Sequence, residues 1–147
     1  MLAELLNENT IALKQKAVDW KEAVSLVGNL LVKSGGVEPA YVEAMRQTVV
    51  ECGPYIVLAP GIALPHARPG ESVKRTSMAL ATLERPVEFG VPHNDPVDIL
   101  ISFATTDNQS HIQALAELSA ILMEPANIER IRAATSARQV MALFGRE

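Results

Sequence analysis

Val97-Asp98-Ile99-Leu100-Ile101-Ser102-Phe103-Ala104 is apolar at nearly every position. A strand with one wet face alternates apolar and polar side chains. This run does not, so both of its faces must be covered, as in a sheet with helices on either side. Working outward, residues 76–83 read as a second long strand. Tyr55-Ile56-Val57-Leu58-Ala59 and Ile62-Ala63-Leu64 read as two short ones joined by the turn dipeptide Pro60-Gly61.

Helices bracket these strands. Asp19-Trp20-Lys21-Glu22 has the form of a capping box, with the Asp19 carboxylate accepting from first-turn amides of a helix that runs to about residue 32 and is stopped by Ser34-Gly35-Gly36. Glu38-Pro39 opens a second helix with proline at a tolerated first-turn position. Val42, Met45 and Val49 line one face, and Cys52-Gly53-Pro54 breaks it, so two helices are expected before any strand. Downstream, Ser110-x-x-Gln113 reads as a cap for a helix carrying Leu115, Leu118 and Leu122 and ending at Glu124-Pro125. A helical segment near 128–133 follows, and Ser136-x-x-Gln139 caps a last short helix through Val140, Leu143 and Phe144. The expected fold is α/β: a single domain over residues 1–147, built as an α/β/α sandwich whose central sheet mixes parallel and antiparallel strands.

Composition narrows the function. Apolar residues make up 48% of the 147 but aromatics only 4%, so the core must be mainly Ala, Val, Leu and Ile. Thirteen Lys and Arg against 17 Asp and Glu give a net charge of -4 with no basic block, which disfavours nucleic-acid binding. No apolar run reaches the roughly 18 residues of a spanning helix, and Met1-Leu2-Ala3-Glu4 lacks a signal peptide's basic start, so a cytoplasmic protein without membrane insertion is expected. Cys52, the only cysteine, excludes an internal disulfide and a multi-cysteine zinc site. With no adjacent basic residue to favour a thiolate, it reads as buried and structural. Trp20 reads as a packing residue.

Three histidines are candidates for chemistry, each set against a surface or satisfied polar role. His66 stands in Gly61-Ile62-Ala63-Leu64-Pro65-His66-Ala67-Arg68-Pro69, where a strand passes into a proline-bracketed loop, so its imidazole is presented from a constrained backbone. That suits a neutral nucleophile with one ring nitrogen free and the other N–H held by an acceptor such as a carbonyl. Arg68 is placed to meet anionic oxygen. His111, at a helix start, could donate to an anion there or simply seal the end of the stripe formed by Leu115, Leu118 and Leu122. His93, in Gly90-Val91-Pro92-His93-Asn94-Asp95-Pro96, reads as an exposed loop residue. Asp95 and Asp98 fit a turn and a strand entrance better than an acid/base pair. A three-histidine zinc centre of the carbonic-anhydrase kind gains no support, because neither H-x-H nor H-E-x-x-H occurs.

These motifs resemble the enzyme IIA component of the bacterial phosphoenolpyruvate-dependent sugar phosphotransferase system, in the fructose and mannitol class. Gly61-Ile62-Ala63-Leu64-Pro65-His66 is similar to the signature holding the phosphorylated histidine, and His111-Ile112-Gln113 with Leu115 and Leu118 to the helix holding the second active-site histidine. The stretch from Gly53 to Pro60, Ala67-Arg68-Pro69, and Asn94 to Ile101 resemble the ascorbate-type branch. Mannitol-type members carry an arginine late in the second helix. Here Thr48-Val49-Val50 has none, which leaves Arg68 as first candidate for the cationic role and Arg46 as second. The resemblance implies a phosphoryl carrier in which His66 accepts from phospho-HPr and passes the group to a cysteine of a IIB protein or domain, assisted by His111 and helix-end amides. The membrane IIC component would be served indirectly, and neither cofactor nor metal would be needed. The alternative is a regulatory module of the same fold, phosphorylated as a signal, that controls a transporter, kinase or transcription factor.

Overall fold

The structure, a computed structural model, describes residues 1–53 and 55–145. Pro54, which the sequence offers as a helix breaker and as part of the branch resemblance, lies outside the described residues. Five strands form one sheet in the order β1-β4-β5-β3-β2: β1 Ile11–Gln15, β2 Val57–Ala59, β3 Ile62–Ala63, β4 Ser77–Val87 and β5 Val97–Ala104. The β1–β4 and β3–β5 pairs are parallel, and β4–β5 and β2–β3 are antiparallel, so the sheet is mixed as expected.

Side-chain alternation along the strands divides the interior in two. Ala79, Ala81, Leu100 and Ala104 face α2 (Trp20–Lys33) and α3 (Pro39–Cys52). Met78, Leu80, Ile99, Ile101 and Phe103 face the other layer: the short α1 (Leu2–Leu5), α4 (Asn108–Leu122), α5 (Pro125–Ala133) and α6 (Ala137–Leu143). Strand β5 is buried at every position except Asp98, which is what its nearly continuous apolar run demands.

The capping signals mostly act as read. Asp19 accepts from the Glu22 amide, and Ser136 and Gln139 form a reciprocal capping box. Trp20 packs against Phe89 with ring centroids 6.2 Å apart. Two expectations are corrected. A strand precedes the two helices, because β1 pairs with β4 as a parallel edge strand. And α4 begins at Asn108, capped by Asp107 rather than by Ser110: the Asp107 carboxylate accepts from the Ser110 amide at 2.7 Å, so Ser110 lies inside the first turn.

Candidate functional site

Because β3 and β5 run parallel, their carboxyl ends emerge side by side, the usual place for a crevice in an α/β sheet. The chain leaving β3 carries His66, and β5 ends on Phe103 and Ala104 just before α4 brings in His111. The imidazole of His66 stacks on Phe103, with centroids 4.9 Å apart and planes at 18°. His111 lies 5.2 Å from both rings, and Tyr55 meets His66 edge-on at 6.1 Å. These histidines open onto a cleft of about 740 Å3 whose walls include Thr48, Cys52, Tyr55 and Arg68. A slightly larger groove, about 790 Å3, runs between the β1–α2 loop and the end of β4 and is lined by no histidine or cysteine.

The two ring nitrogens of His66 are inequivalent. Nδ1 lies 2.7 Å from the Leu64 carbonyl oxygen. A carbonyl can only accept, so Nδ1 carries the proton and Nε2 keeps its lone pair. Burial is the main cause holding the His66 pKa below its ordinary value, and the nearby His111 adds to it, against the opposing pull of the Leu64 carbonyl. The ring is thus neutral at neutral pH, the state a nucleophile needs.

His111 is likewise depressed by burial. Its Nδ1 is buried without a hydrogen-bond partner among the described residues, which leaves Nε2 as the atom free to serve an incoming anion. Two of the amides at the start of α4 are already engaged: the Ser110 N–H donates to the Asp107 carboxylate and the His111 N–H to the Asp107 carbonyl.

Arg68 is exposed on the cleft wall and makes no hydrogen bond or ion pair among the described residues. Arg46 is turned to other work, bonding Glu43 and Ser25, and it does not line the cleft. His93 is exposed in its loop and is not brought to the cleft. Asp95 accepts from the amides of Phe89, Gly90 and Val91, and Asp98 binds Arg132 through both carboxylate oxygens, so the two are structural as read. Cys52 is a correction: as the last residue of α3 it is exposed and lines the cleft. Phe103 escaped the sequence reading as a site residue, since an aromatic in a buried strand reads as core. Only the pairing of β3 with β5 shows that its ring lies under His66.

The chain belongs to the EIIA 2 family of the phosphoenolpyruvate-dependent sugar phosphotransferase system, whose family model matches residues 4–146. It is 41% identical over 147 residues to the ascorbate-specific PTS system EIIA component of Escherichia coli strain K12, covering 99% of this chain and 96% of that one. Its fold matches the mannitol-specific cryptic phosphotransferase enzyme IIA CmtB from E. coli at a TM-score of 0.87, with 33% identity and 99% of each chain covered. It also matches a chain from the complex of enzyme IIA and phosphorylated enzyme IIB of the E. coli mannitol system at 0.84, with 31% identity and 95% and 96% covered. No helix among the described residues is long and apolar enough to cross a membrane.

Proposed function

We propose that this EIIA protein carries its phosphoryl group on Nε2 of His66, receiving it from phospho-HPr and delivering it to a cysteine of a IIB partner for the uptake of L-ascorbate. The observation that carries this reading is the 2.7 Å contact between Nδ1 of His66 and the Leu64 carbonyl, which engages one nitrogen in hydrogen bonding and leaves the lone pair of the other available. In the first step the Nε2 lone pair of His66 forms a bond to phosphorus as the P–N bond to the HPr histidine breaks. In the second, a thiolate of IIB attacks the same phosphorus in line and the electron pair returns to Nε2. Transfer between imidazoles of similar basicity is nearly thermoneutral, so the protein's part is positioning and charge stabilisation. Nε2–H of His111 donates to an equatorial oxygen and Arg68 adds its positive charge. No step calls for a metal or cofactor.

The choice of ascorbate rests on relatives named as ascorbate-specific, and the choice of a IIB partner on the structural match to a mannitol IIA–IIB complex. Cys52 lines the same cleft and is exposed, so the acceptor is placed on a IIB partner by the match to the IIA–IIB complex and not by any inaccessibility of this thiol. Incubation with phosphoenolpyruvate, enzyme I and HPr, followed by mapping of the acid-labile label, tests the assignment: label is expected on His66 and absent from His66→Ala. Discharge of phosphorylated protein to IIB proteins of ascorbate, galactitol and mannitol type tests the pathway. Efficient discharge to the mannitol type with none to the ascorbate type would refute the branch while leaving His66 in place.

A further inference from the structure

Two buried hydroxyls hold the peptide units on either side of His66, and the transfer chemistry just described uses neither. Tyr41, on α3, is 1% exposed. Its hydroxyl accepts from the Ala67 N–H at 3.0 Å and donates to the Phe103 carbonyl at 2.8 Å, with the Ala67 carbonyl 3.2 Å away. One oxygen thus joins the residue after His66 to the residue whose ring lies beneath His66. A hydroxyl can accept from an N–H and donate to a C=O at once, which a phenyl ring cannot. Burial pushes the phenol up to about 12, so it keeps its proton at neutral pH. On the other side, Ser102 of β5, fully buried, donates from Oγ to the Pro65 carbonyl at 2.8 Å. The Leu64 amide donates to the Ile56 carbonyl at 2.9 Å, so the carbonyl that orients His66 is itself on an anchored residue.

We propose that Tyr41 and Ser102 are positioning residues for phosphoryl exchange: by fixing the peptide units before and after His66 they keep Nδ1 on the Leu64 carbonyl and the ring on Phe103, so that Nε2 meets phosphorus in line. The inference rests on His66 being the phosphoryl acceptor. In-line transfer is steeply sensitive to placement, and a displacement of about 1 Å can cost on the order of 10²-fold in rate. Neither hydroxyl touches the phosphoryl group. Each acts through the backbone that presents the imidazole, as a supporting shell does for a preorganised nucleophile.

The test uses the intact protein with Tyr41→Phe, Ser102→Ala and His66→Ala, reading rapid-quench rates of transfer from phospho-HPr and the 15N NMR signature of the His66 imidazole. Folded Tyr41→Phe and Ser102→Ala should still label His66 to completion but about 10-fold or more slowly, with the imidazole drifting from a single Nδ1–H tautomer toward a mixture. A merely structural role would lower the urea midpoint and leave both readings of the folded protein unchanged. A wild-type rate and imidazole spectrum in Tyr41→Phe, with His66→Ala unlabelled, would overturn the positioning role alone. Should Tyr41→Phe fail to fold, the same wild-type values in Ser102→Ala would overturn it. Full labelling of His66→Ala would overturn the assignment of His66, and the positioning role with it.

Discussion

The imidazoles of His66 and His111 lie 5.2 Å apart, and burial is the first cause holding each below the ordinary histidine pKa. An unfolded chain, with histidines near 6.5, therefore binds protons at a higher pH than the fold does. The stability these rings contribute is fully present above about pH 6.5 and is lost as pH falls through their folded values. The urea midpoint should be level from pH 7.5 to about 6.5 and decline toward pH 5. A double variant, His66→Gln with His111→Gln, should decline less steeply, and an equal slope would place the titration elsewhere.

His111→Ala should leave His66 able to take the label while slowing transfer by roughly 10²–10³-fold, the loss typical of one donor to a developing oxyanion. Single-turnover rates in both directions check this. Unchanged rates would make His111 the seal of the Leu118 stripe and nothing more.

The two candidate arginines should separate cleanly. Arg68→Gln, which removes the unpaired charge on the cleft wall, should slow transfer by about 10-fold, in keeping with one exposed electrostatic contact. Arg46→Gln should leave the rate alone, because its guanidinium is held by Glu43 and Ser25 away from the cleft. The reverse pattern would move the cationic role to α3.

Cys52, exposed at the rim, should react with a maleimide in the native protein as readily as in urea. A bulky adduct there should slow exchange with both phosphoryl partners by obstructing the cleft, while Cys52→Ser should transfer normally. Protection of the thiol in the native protein would contradict its exposure.

Gly61 sits at φ +80°, and a Cβ there would lie 2.6 Å from Nη2 of Arg132 and 3.2 Å from Oδ1 of Asp98. Gly61→Ala should destabilise by about 2 kcal/mol or more, combining left-handed backbone strain of roughly 1–2 kcal/mol with the clash. In an Arg132→Ala background the closer contact is gone while the backbone part and the approach to Asp98 remain, so the penalty should shrink by about 1 kcal/mol in urea titrations. Equal penalties in both backgrounds would show that Arg132 simply moves aside.

Local signals carried much of the fold. The apolar run of β5, the proline at the start of α3, the Asp19 cap of α2 and the Ser136–Gln139 box of α6 are each legible because their causes lie within a few residues: side-chain periodicity, a missing N–H, a carboxylate or hydroxyl reaching a first-turn amide. His66 was legible for the same reason, since the prolines around it constrain its own backbone, and even its carbonyl partner is two residues away. Where the cause is distant, the sequence was silent or misleading. Ile11-Ala12-Leu13-Lys14-Gln15 has one β-branched residue and becomes a strand by pairing with β4 some 70 residues on, through an irregular register in which Lys14 takes φ 54°. Ser110-x-x-Gln113 had the pattern of a cap, but Asp107 occupies the capping position three residues earlier, and a carboxylate there takes the amide that an anion would have used. The exposure of Cys52, the ring of Phe103 under His66 and the hydroxyl of Tyr41 joining Ala67 to Phe103 arise only when α3, β3 and β5 meet. Those contacts span 26 to 62 residues of chain, and no periodicity or capping rule reaches that far.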